Sequence, residues 1–139
     1  MEQLAEFAGN HILLTLALIG AFGLVVANEL RLNRQGLTHI SPGDAVKLIN
    51  KSALVIDVRS ADAFGGGHIA NARNIELAAL EADPDSVKKN KSKVLLTVCD
   101  SGLTSGKAAA VLRKAGYENS FSLRGGIQAW RAENLPLAK

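Results

Sequence analysis

The sequence is poor in cysteine, in aromatic residues and in strong charge, and each shortage excludes a class of protein. Its 139 residues include one cysteine, Cys99, so an intramolecular disulfide is impossible and nothing calls for an oxidising compartment. Aromatic residues make up 4% of the chain, and the net charge is +3. The only dense basic stretch, residues 88–93, has no interleaved aromatics and predicts a solvated loop, so we predict no nucleic-acid partner. No cluster of His, Cys, Asp and Glu has metal-ligand spacing, and we predict neither a metal ion nor a cofactor.

The first thirty residues contain no lysine or arginine, although the chain has sixteen. Within them, residues 12–27 (ILLTLALIGAFGLVVA) carry no charge and are apolar on all sides. With uncharged neighbours the run reaches about twenty residues, enough for a helix to cross a membrane. We therefore predict that residues 1–30 are a membrane anchor that contacts the bilayer through residues 12–28. A buried helix of a soluble domain is the alternative, and a cleaved signal peptide is disfavoured because a basic n-region is missing.

The charges that flank the apolar run predict its orientation. Glu2 and Glu6 precede it, whereas Arg31 and Arg34 follow it. Because basic residues are retained on the cytoplasmic side, the N-terminus is expected outside and the rest of the chain in the cytoplasm. That location agrees with a free, reduced Cys99.

Strand-like and helix-like segments alternate from residue 38 onward, after a polar linker predicted at 31–37. Two short apolar runs, 53–58 and 94–98, are rich in β-branched residues and predict strands buried on both faces. Shorter strands are predicted at 38–40, 74–75 and 120–123, and helices at 41–50, 62–64, 76–82, 107–114 and 127–134. The alternation predicts an α/β domain over 38–137, in which helices cover both faces of a mostly parallel central sheet. Ligands of such sheets bind outside the carboxyl ends of the strands.

Cys99 begins the loop that follows the second of the two strong strands. The loop reads Cys99-Asp100-Ser101-Gly102-Leu103-Thr104-Ser105-Gly106 and leads into a predicted helix. The backbone N–H groups of such a turn and the positive end of the helix dipole favour an anion. They would stabilise a thiolate, or a negative group attached to it. A buried structural cysteine is an equally open interpretation of this stretch alone, because that is the common fate of a single cysteine.

Three motifs of this domain resemble those of the rhodanese family of sulfurtransferases. The first runs from Asp57-Val58-Arg59 through Asp62-x-Phe64-x-x-Gly67-His68-Ile69 to Asn74-Ile75, the second is Cys99-x-x-Gly102-x-x-Ser105, and the third is Leu123-Arg124-Gly125-Gly126-Ile127-x-x-Trp130. They follow the family's order and span nearly all of residues 38–137. With its apolar N-terminus, the chain is similar to the membrane-anchored single-domain rhodaneses of bacteria. The resemblance implies a three-layer rhodanese-like fold and a location in the bacterial inner membrane.

The resemblance also implies a reaction. Cys99 would take a sulfane sulfur from a donor, become a persulfide, and pass the sulfur to a thiol or cyanide-like acceptor. The persulfide cradle would be formed by Asp100, Ser101, Gly102, Leu103, Thr104 and Ser105. Ser101 and Thr104 would assist the thiolate, as in the similar loop of mercaptopyruvate sulfurtransferases. Many thiosulfate-using rhodaneses have a cation in this loop, but here it has none, so the candidate anion-binding residues are Lys107, Arg59 and Arg124.

Structural roles are favoured for several residues of the motifs, including Arg59, which stays a candidate for anion binding as well. Arg59 is predicted to pair with Asp62, Asp57 to bond to loop amides, His68 to pack, and Trp130 to lie in the core. Two alternatives stay open for the whole chain. The domain could be a binding or scaffold module that works with another membrane protein, and the apolar N-terminus could pack on its own domain.

Overall fold

The computed structural model describes residues 6–7, 9–36, 38–87 and 91–139, without the side chains of residues 32–36. Lys88, Lys89 and Asn90, the first half of the predicted basic loop, lie outside the described residues. The chain divides into two compact units, Met1–Gly36 and Leu37–Lys139.

The N-terminal unit contains one long helix, α1, which spans Ile12–Gly36. Its segment Ile12–Arg31 is 20 residues long, has a mean hydropathy of 2.0, and is not buried anywhere along its length. By length and composition this segment is sufficient to cross a membrane, since twenty helical residues rise about 30 Å. The helix continues through residues 31–36, where the sequence predicts a linker. Leu30 and Arg31 favour helix, and residues 31–35 contain neither proline nor glycine.

The C-terminal unit contains the predicted alternation of strands and helices. Its strands are β1 His39–Ile40, β2 Leu54–Asp57, β3 Arg73–Asn74, β4 Leu95–Val98 and β5 Ser120–Leu123. Its helices are α2 Pro42–Asn50, α3 Ala61–Gly65, α4 Leu77–Ala82, α5 Leu103–Lys114 and α6 Gly126–Ala132, with a 3-10 turn at Pro84–Val87. The sheet order is β1-β5-β4-β2-β3, and each of these neighbouring pairs is parallel. The predicted α/β fold with a mostly parallel sheet is confirmed.

Two hydrophobic clusters lie on opposite faces of the sheet and produce three layers. The first contains Ile56, Val58, Leu80, Val87, Leu95, Cys99, Ala108, Leu112 and Tyr117. The second contains Ala45, Val55, Ile69, Leu96, Val98, Leu123, Ile127 and Trp130. Successive side chains of a strand point to opposite faces, so Leu95 and Cys99 share the face covered by α4 and α5. Trp130, which belongs to α6, lies in the core, as predicted.

Helix α5 begins at Leu103, four residues earlier than the sequence pattern predicts. Gly102 has φ +98°, a left-handed conformation that ends the loop and lets the helix start at the next residue. The chain between β4 and α5 is therefore only Cys99 to Gly102. Leu103, Thr104 and Ser105 belong to the first turn of the helix rather than to the loop.

The first turn of α6 holds the backbone of this short loop. The N–H of Ile127 donates to the carbonyl of Cys99 at 2.9 Å, and the N–H of Gln128 donates to that of Asp100 at 3.2 Å. Gly126 has φ +59°, and a Cβ there would collide with both carbonyls. In a trans peptide the N–H lies opposite the C=O, so the amides of Asp100 and Ser101 point away from α6. The glycines of the third motif thus allow α6 to orient the loop.

Replacing Gly126 with alanine is expected to lower the free energy of unfolding by more than about 2 kcal/mol, because strain at a positive φ adds to the overlap with two carbonyls. Gly65→Ala is the matched control, since nothing lies within 4 Å of its Cβ position. The control should change the free energy of unfolding by less than about 0.5 kcal/mol. Urea unfolding followed by circular dichroism measures both variants, and equal losses would contradict the close packing of α6.

Candidate active site

Cys99 follows β4 at the carboxyl edge of the sheet, where the residue is 4% exposed. The N–H of Gly102 donates a hydrogen bond to its Sγ at 3.0 Å. Helix α5 starts at the next residue, so the N–H groups of Leu103, Thr104 and Ser105 have no acceptor within the helix. The sulfur therefore lies beside donors and the positive end of a helix dipole, an environment that stabilises negative charge.

A chain of hydroxyl groups continues from the sulfur. The thiol of Cys99 donates to Ser105 Oγ at 3.3 Å, and Ser105 Oγ lies 2.7 Å from Ser122 Oγ. Both serines are fully buried. Thr97 Oγ1 donates to the carbonyl of Ser105 at 2.8 Å, which fixes the first turn of α5 against the sheet. The hydroxyl that contacts Sγ is thus that of Ser105, whereas the sequence pattern favours Ser101 and Thr104.

Ser122 is a residue of this site that the sequence analysis misses. It lies on β5 in register with Thr97 of β4, and Thr97 precedes Cys99 by two residues on the same face. The pairing of β4 with β5 is the information that would identify Ser122. With these two strands adjacent and in this register, the hydroxyl of Ser122 falls beside the cysteine.

A cavity of about 250 Å³ opens beside Cys99. The segment after β2 lines it with Val58, Arg59, Ser60 and Ala63, and the segment after β4 lines it with Cys99, Asp100, Ser101 and Thr104. The first and second motifs therefore supply facing parts of one pocket. Its volume admits a small substrate, or an additional atom on Sγ.

Arg59 is held firmly in the wall of this cavity. Its Nε and Nη2 donate to the carboxylate of Asp57 over 2.6–3.1 Å, and Nη2 also donates to the carbonyl of Gly67 at 2.8 Å. The hydrogen bonds to Asp57 raise the pKa of Arg59 above its usual value, and the charges of Asp57 and Asp100 add to this against the opposing effect of burial.

The predicted ion pair between Arg59 and Asp62 is wrong. Residues two apart in extended backbone lie on the same side, which brings Asp57 rather than Asp62 to Arg59.

Asp57 bonds to a loop amide, as predicted. Its Oδ1 accepts the backbone N–H of Arg59 at 3.0 Å, in the segment that follows β2. Together with the side-chain bonds, this makes Asp57 and Arg59 a closed, buried unit. Arg59 of this pair lines the cavity, and the bonds from Asp57 hold its side chain there.

The charges around the cavity are unevenly placed. The carboxylate of Asp100 is 68% exposed, and its Oδ1 lies 3.7 Å from Arg59 Nη1. Lys107 is exposed on α5 and Arg124 is exposed after β5, and neither lines the cavity. Arg124 Nη2 instead donates to the carbonyl of His39 at 3.1 Å. Burial, with the charge of Arg124, lowers the pKa of His39. Of the three candidate anion-binding residues, only Arg59 is in the cavity wall.

The remaining candidates have distinct positions. Ser101 and Thr104 line the cavity, while the side chain of Leu103 is 79% exposed. His68 packs as predicted, with its ring stacked on Phe64 at 3.8 Å between centroids and its Nδ1 2.9 Å from the carbonyl of Phe64. In the part of the chain that the structure describes, no group of three or more His, Cys, Asp and Glu residues could hold a metal ion.

Comparison with known proteins identifies the family. The model of the rhodanese-like domain matches residues 41–133, which include all three motifs up to Trp130. The chain belongs to the rhodanese-like family. This rhodanese is 33% identical over 141 aligned residues to the protein YibN of Escherichia coli, and the alignment covers 100% of this chain and 99% of YibN. The similarity to YibN therefore extends through α1.

Other relatives cover the rhodanese domain. The chain is 36% identical over 96 residues to the thiosulfate sulfurtransferase GlpE of Coxiella burnetii, over 68% of this chain and 88% of that protein. It also resembles the crystal structure of a rhodanese-related protein of Thermoplasma volcanium, with a TM-score of 0.65 and 30% identity over 72% of this chain and 96% of the other. A single rhodanese domain preceded by a long apolar helix is thus the architecture of this chain.

Proposed function

We propose that this protein is a sulfurtransferase that moves a sulfane sulfur through a persulfide on Cys99 to a thiol or cyanide-like acceptor. The observation that carries the proposal is the hydrogen bond from the N–H of Gly102 to Cys99 Sγ, beside a cavity with room for a further sulfur atom. The family supports the proposal, as does the relative from Coxiella burnetii that is named as a thiosulfate sulfurtransferase. Mercaptopyruvate is the second donor that the loop sequence suggests.

Two displacement steps at sulfur accomplish the transfer. The Cys99 thiolate attacks the outer sulfur of the donor, the bond from that sulfur to the rest of the donor breaks, and the remainder leaves with the electron pair. An acceptor thiolate or cyanide then attacks the outer sulfur of the persulfide, and Cys99 leaves as the thiolate. Each step exchanges one bond to sulfur for another, so no external oxidant or reductant is consumed. Negative charge stays at the loop throughout, where backbone N–H groups can stabilise it.

The residues from Asp100 to Ser105 form the proposed persulfide cradle. Gly102, Leu103, Thr104 and Ser105 contribute backbone N–H groups at the start of α5. The side chains of Ser101 and Thr104 line the cavity and contact the donor in this proposal. Leu103 contributes its backbone, because its side chain points into solvent.

Persulfide formation is tested on the purified full chain in detergent, incubated in turn with thiosulfate, mercaptopyruvate and cysteine persulfide. We expect intact-protein mass spectrometry to show a gain of one sulfur atom that a thiol reductant removes, because a persulfide is reducible. Cys99→Ser should show no gain. The same gain in that variant, or no gain with any donor, would refute the proposal, and the second result would favour the scaffold module.

The charge of the cavity wall bears on the choice of donor. The positive charge of Arg59 is balanced by Asp57 at 2.6 Å, and the carboxylate of Asp100 lies at the cavity. Among the described residues, no other cationic side chain lines it. A dianion such as thiosulfate would therefore meet net negative charge as it approaches Cys99. We propose that Asp100 makes thiosulfate a poorer donor than a sulfur carrier with less negative charge.

Asp100→Asn is expected to raise the rate of persulfide formation with thiosulfate by about three- to tenfold relative to the rate with cysteine persulfide, because one repulsive charge is removed. Added salt should narrow the difference between the wild-type chain and the variant, since it screens the repulsion. Glu118→Gln is the matched control, because this exposed carboxylate lies before β5, at the opposite end of the strands. A ratio of the two donor rates that does not change in Asp100→Asn would exclude the electrostatic effect.

We further propose that residues 1–30 anchor the protein in the bacterial inner membrane, with the N-terminus outside, residues 31–37 as a connection, and the domain over 38–137 in the cytoplasm. Support comes from the apolar segment Ile12–Arg31 and from the acidic residues before it and basic residues after it. With such an anchor, the partner that we propose for the domain is another membrane protein.

The anchor is tested by fractionating cells that express the full chain. We expect the protein in the membrane pellet after washing with alkaline carbonate and its release by detergent. Leu18→Arg should shift it toward the soluble fraction, because a charge at the middle of the segment costs roughly 3 kcal/mol of insertion, whereas Leu18→Ile should not.

The orientation is tested with protease added to intact spheroplasts, which should spare the domain. Recovery of the wild-type chain without detergent would refute the anchor, and digestion of the domain would refute the orientation.

A further inference from the structure

We propose that Ser122 is a positioning residue that holds Ser105 ready to donate a hydrogen bond to Cys99 whenever the sulfur is negatively charged. The inference rests on the proposed function, because it assigns Ser122 a role in preparing Cys99 to attack a donor. It begins from the 2.7 Å contact between the two buried hydroxyls, which lies directly behind the 3.3 Å contact of Ser105 with Sγ.

The hydrogen bonds are complete when Cys99 is a thiol. A hydroxyl can donate once and accept twice. Ser105 Oγ accepts from the thiol of Cys99 and donates its one proton to the carbonyl of Gly102 at 3.2 Å. At its 2.7 Å contact with Ser122 Oγ it must therefore accept, and Ser122 donates. All positions on Ser105 Oγ are then in use.

Loss of the thiol proton reverses one of these bonds. A thiolate can only accept, so the hydroxyl of Ser105 must turn from the carbonyl of Gly102 toward Sγ. That carbonyl keeps a partner, because it also accepts the N–H of Gly106 at 3.2 Å. Ser122 donates to Ser105 Oγ as before, so the rotation of one hydroxyl accommodates the change of charge. The departing proton leaves with the solvent or the donor, and no other group changes protonation.

Ser122 matters more to the thiolate than to the thiol. Without its hydroxyl, Ser105 Oγ still accepts from the thiol of Cys99 in the first state. When Cys99 is a thiolate, the fully buried Ser105 Oγ then accepts no hydrogen bond. It is left as an unsatisfied acceptor and becomes a weaker donor to the sulfur. Removing the Ser122 hydroxyl therefore disfavours the charged, reactive form of Cys99 specifically.

Ser120 is a close structural control. It lies on the same strand, is equally buried, and its Oγ donates to the carbonyl of Tyr117 at 2.7 Å without any link to Cys99. Ser120→Ala thus removes a buried hydroxyl of similar geometry from outside the chain of hydroxyls.

The test measures the thiolate of the full chain in detergent without any sulfur donor. The readouts are the ultraviolet absorbance of the thiolate at one fixed pH and the rate at which iodoacetamide alkylates Cys99. Ser122→Ala is expected to slow alkylation by about three- to tenfold, as the loss of one hydrogen bond implies, and to lower the absorbance. Ser120→Ala should stay within about twofold of the wild-type rate. Ser122→Thr, which keeps the hydroxyl, should restore at least half of the wild-type rate.

A double-mutant cycle separates positioning from a merely structural effect. In the Ser105→Ala background, Ser122→Ala should change the alkylation rate by less than about twofold, because Ser122 acts through Ser105. Equal effects of Ser122→Ala and Ser120→Ala, or independent effects of Ser105 and Ser122, would overturn the proposal. Alkylation needs no sulfur donor, so its outcome is independent of persulfide formation. The proposal for Ser122 can be refuted while Cys99 still forms a persulfide, and persulfide formation can fail while Ser122 still affects alkylation.

Discussion

The hydrogen bonds from the first turn of α6 to the carbonyls of Cys99 and Asp100 determine how the cysteine loop is oriented. They turn those carbonyls toward α6 and the following amides away from it. Gly102 completes the arrangement, since a Cβ on it would lie 3.1 Å from the N of Gly125. The third motif, which is distant in sequence, is thus the support on which the second motif is shaped.

The first motif also holds a segment of the site in place, through a buried ion pair. Asp57 and Arg59 satisfy each other, Arg59 binds the carbonyl of Gly67, and Asn74 Nδ2 donates to the carbonyls of Asp57 and Arg59 at 3.1 and 2.8 Å. Buried ion pairs add little net stability, but the loss of one partner costs roughly 3–5 kcal/mol because a charge is left unpaired. The residues of this motif are therefore mutually dependent, and together they keep the segment after β2 in place at the cavity.

Sequence patterns predicted the sheet, its layers and the position of Cys99, because short β-branched runs and glycines are local signals. They did not predict side-chain contacts that depend on which residues are neighbours in three dimensions. Asp57 and Asp62 are both close to Arg59 in sequence, and only the extended path of the chain selects Asp57. Ser122 could not be associated with Cys99 without the register of β4 and β5. Helix α1 continues past the apolar run because helix formation requires suitable residues, not apolar ones, and the expected linker contains such residues up to Gly36.

The absence of a second cysteine restricts how the proposed persulfide on Cys99 could be released. In a chain with a neighbouring thiol, that thiol can attack the inner sulfur of a persulfide, close a disulfide and expel hydrogen sulfide. Here the 139 residues contain no second cysteine, and Cys99 is 4% exposed in the wall of its cavity. A sulfur atom on Cys99 in the proposed reaction could therefore not be lost to a second cysteine of the same chain, and its acceptor would have to be another molecule.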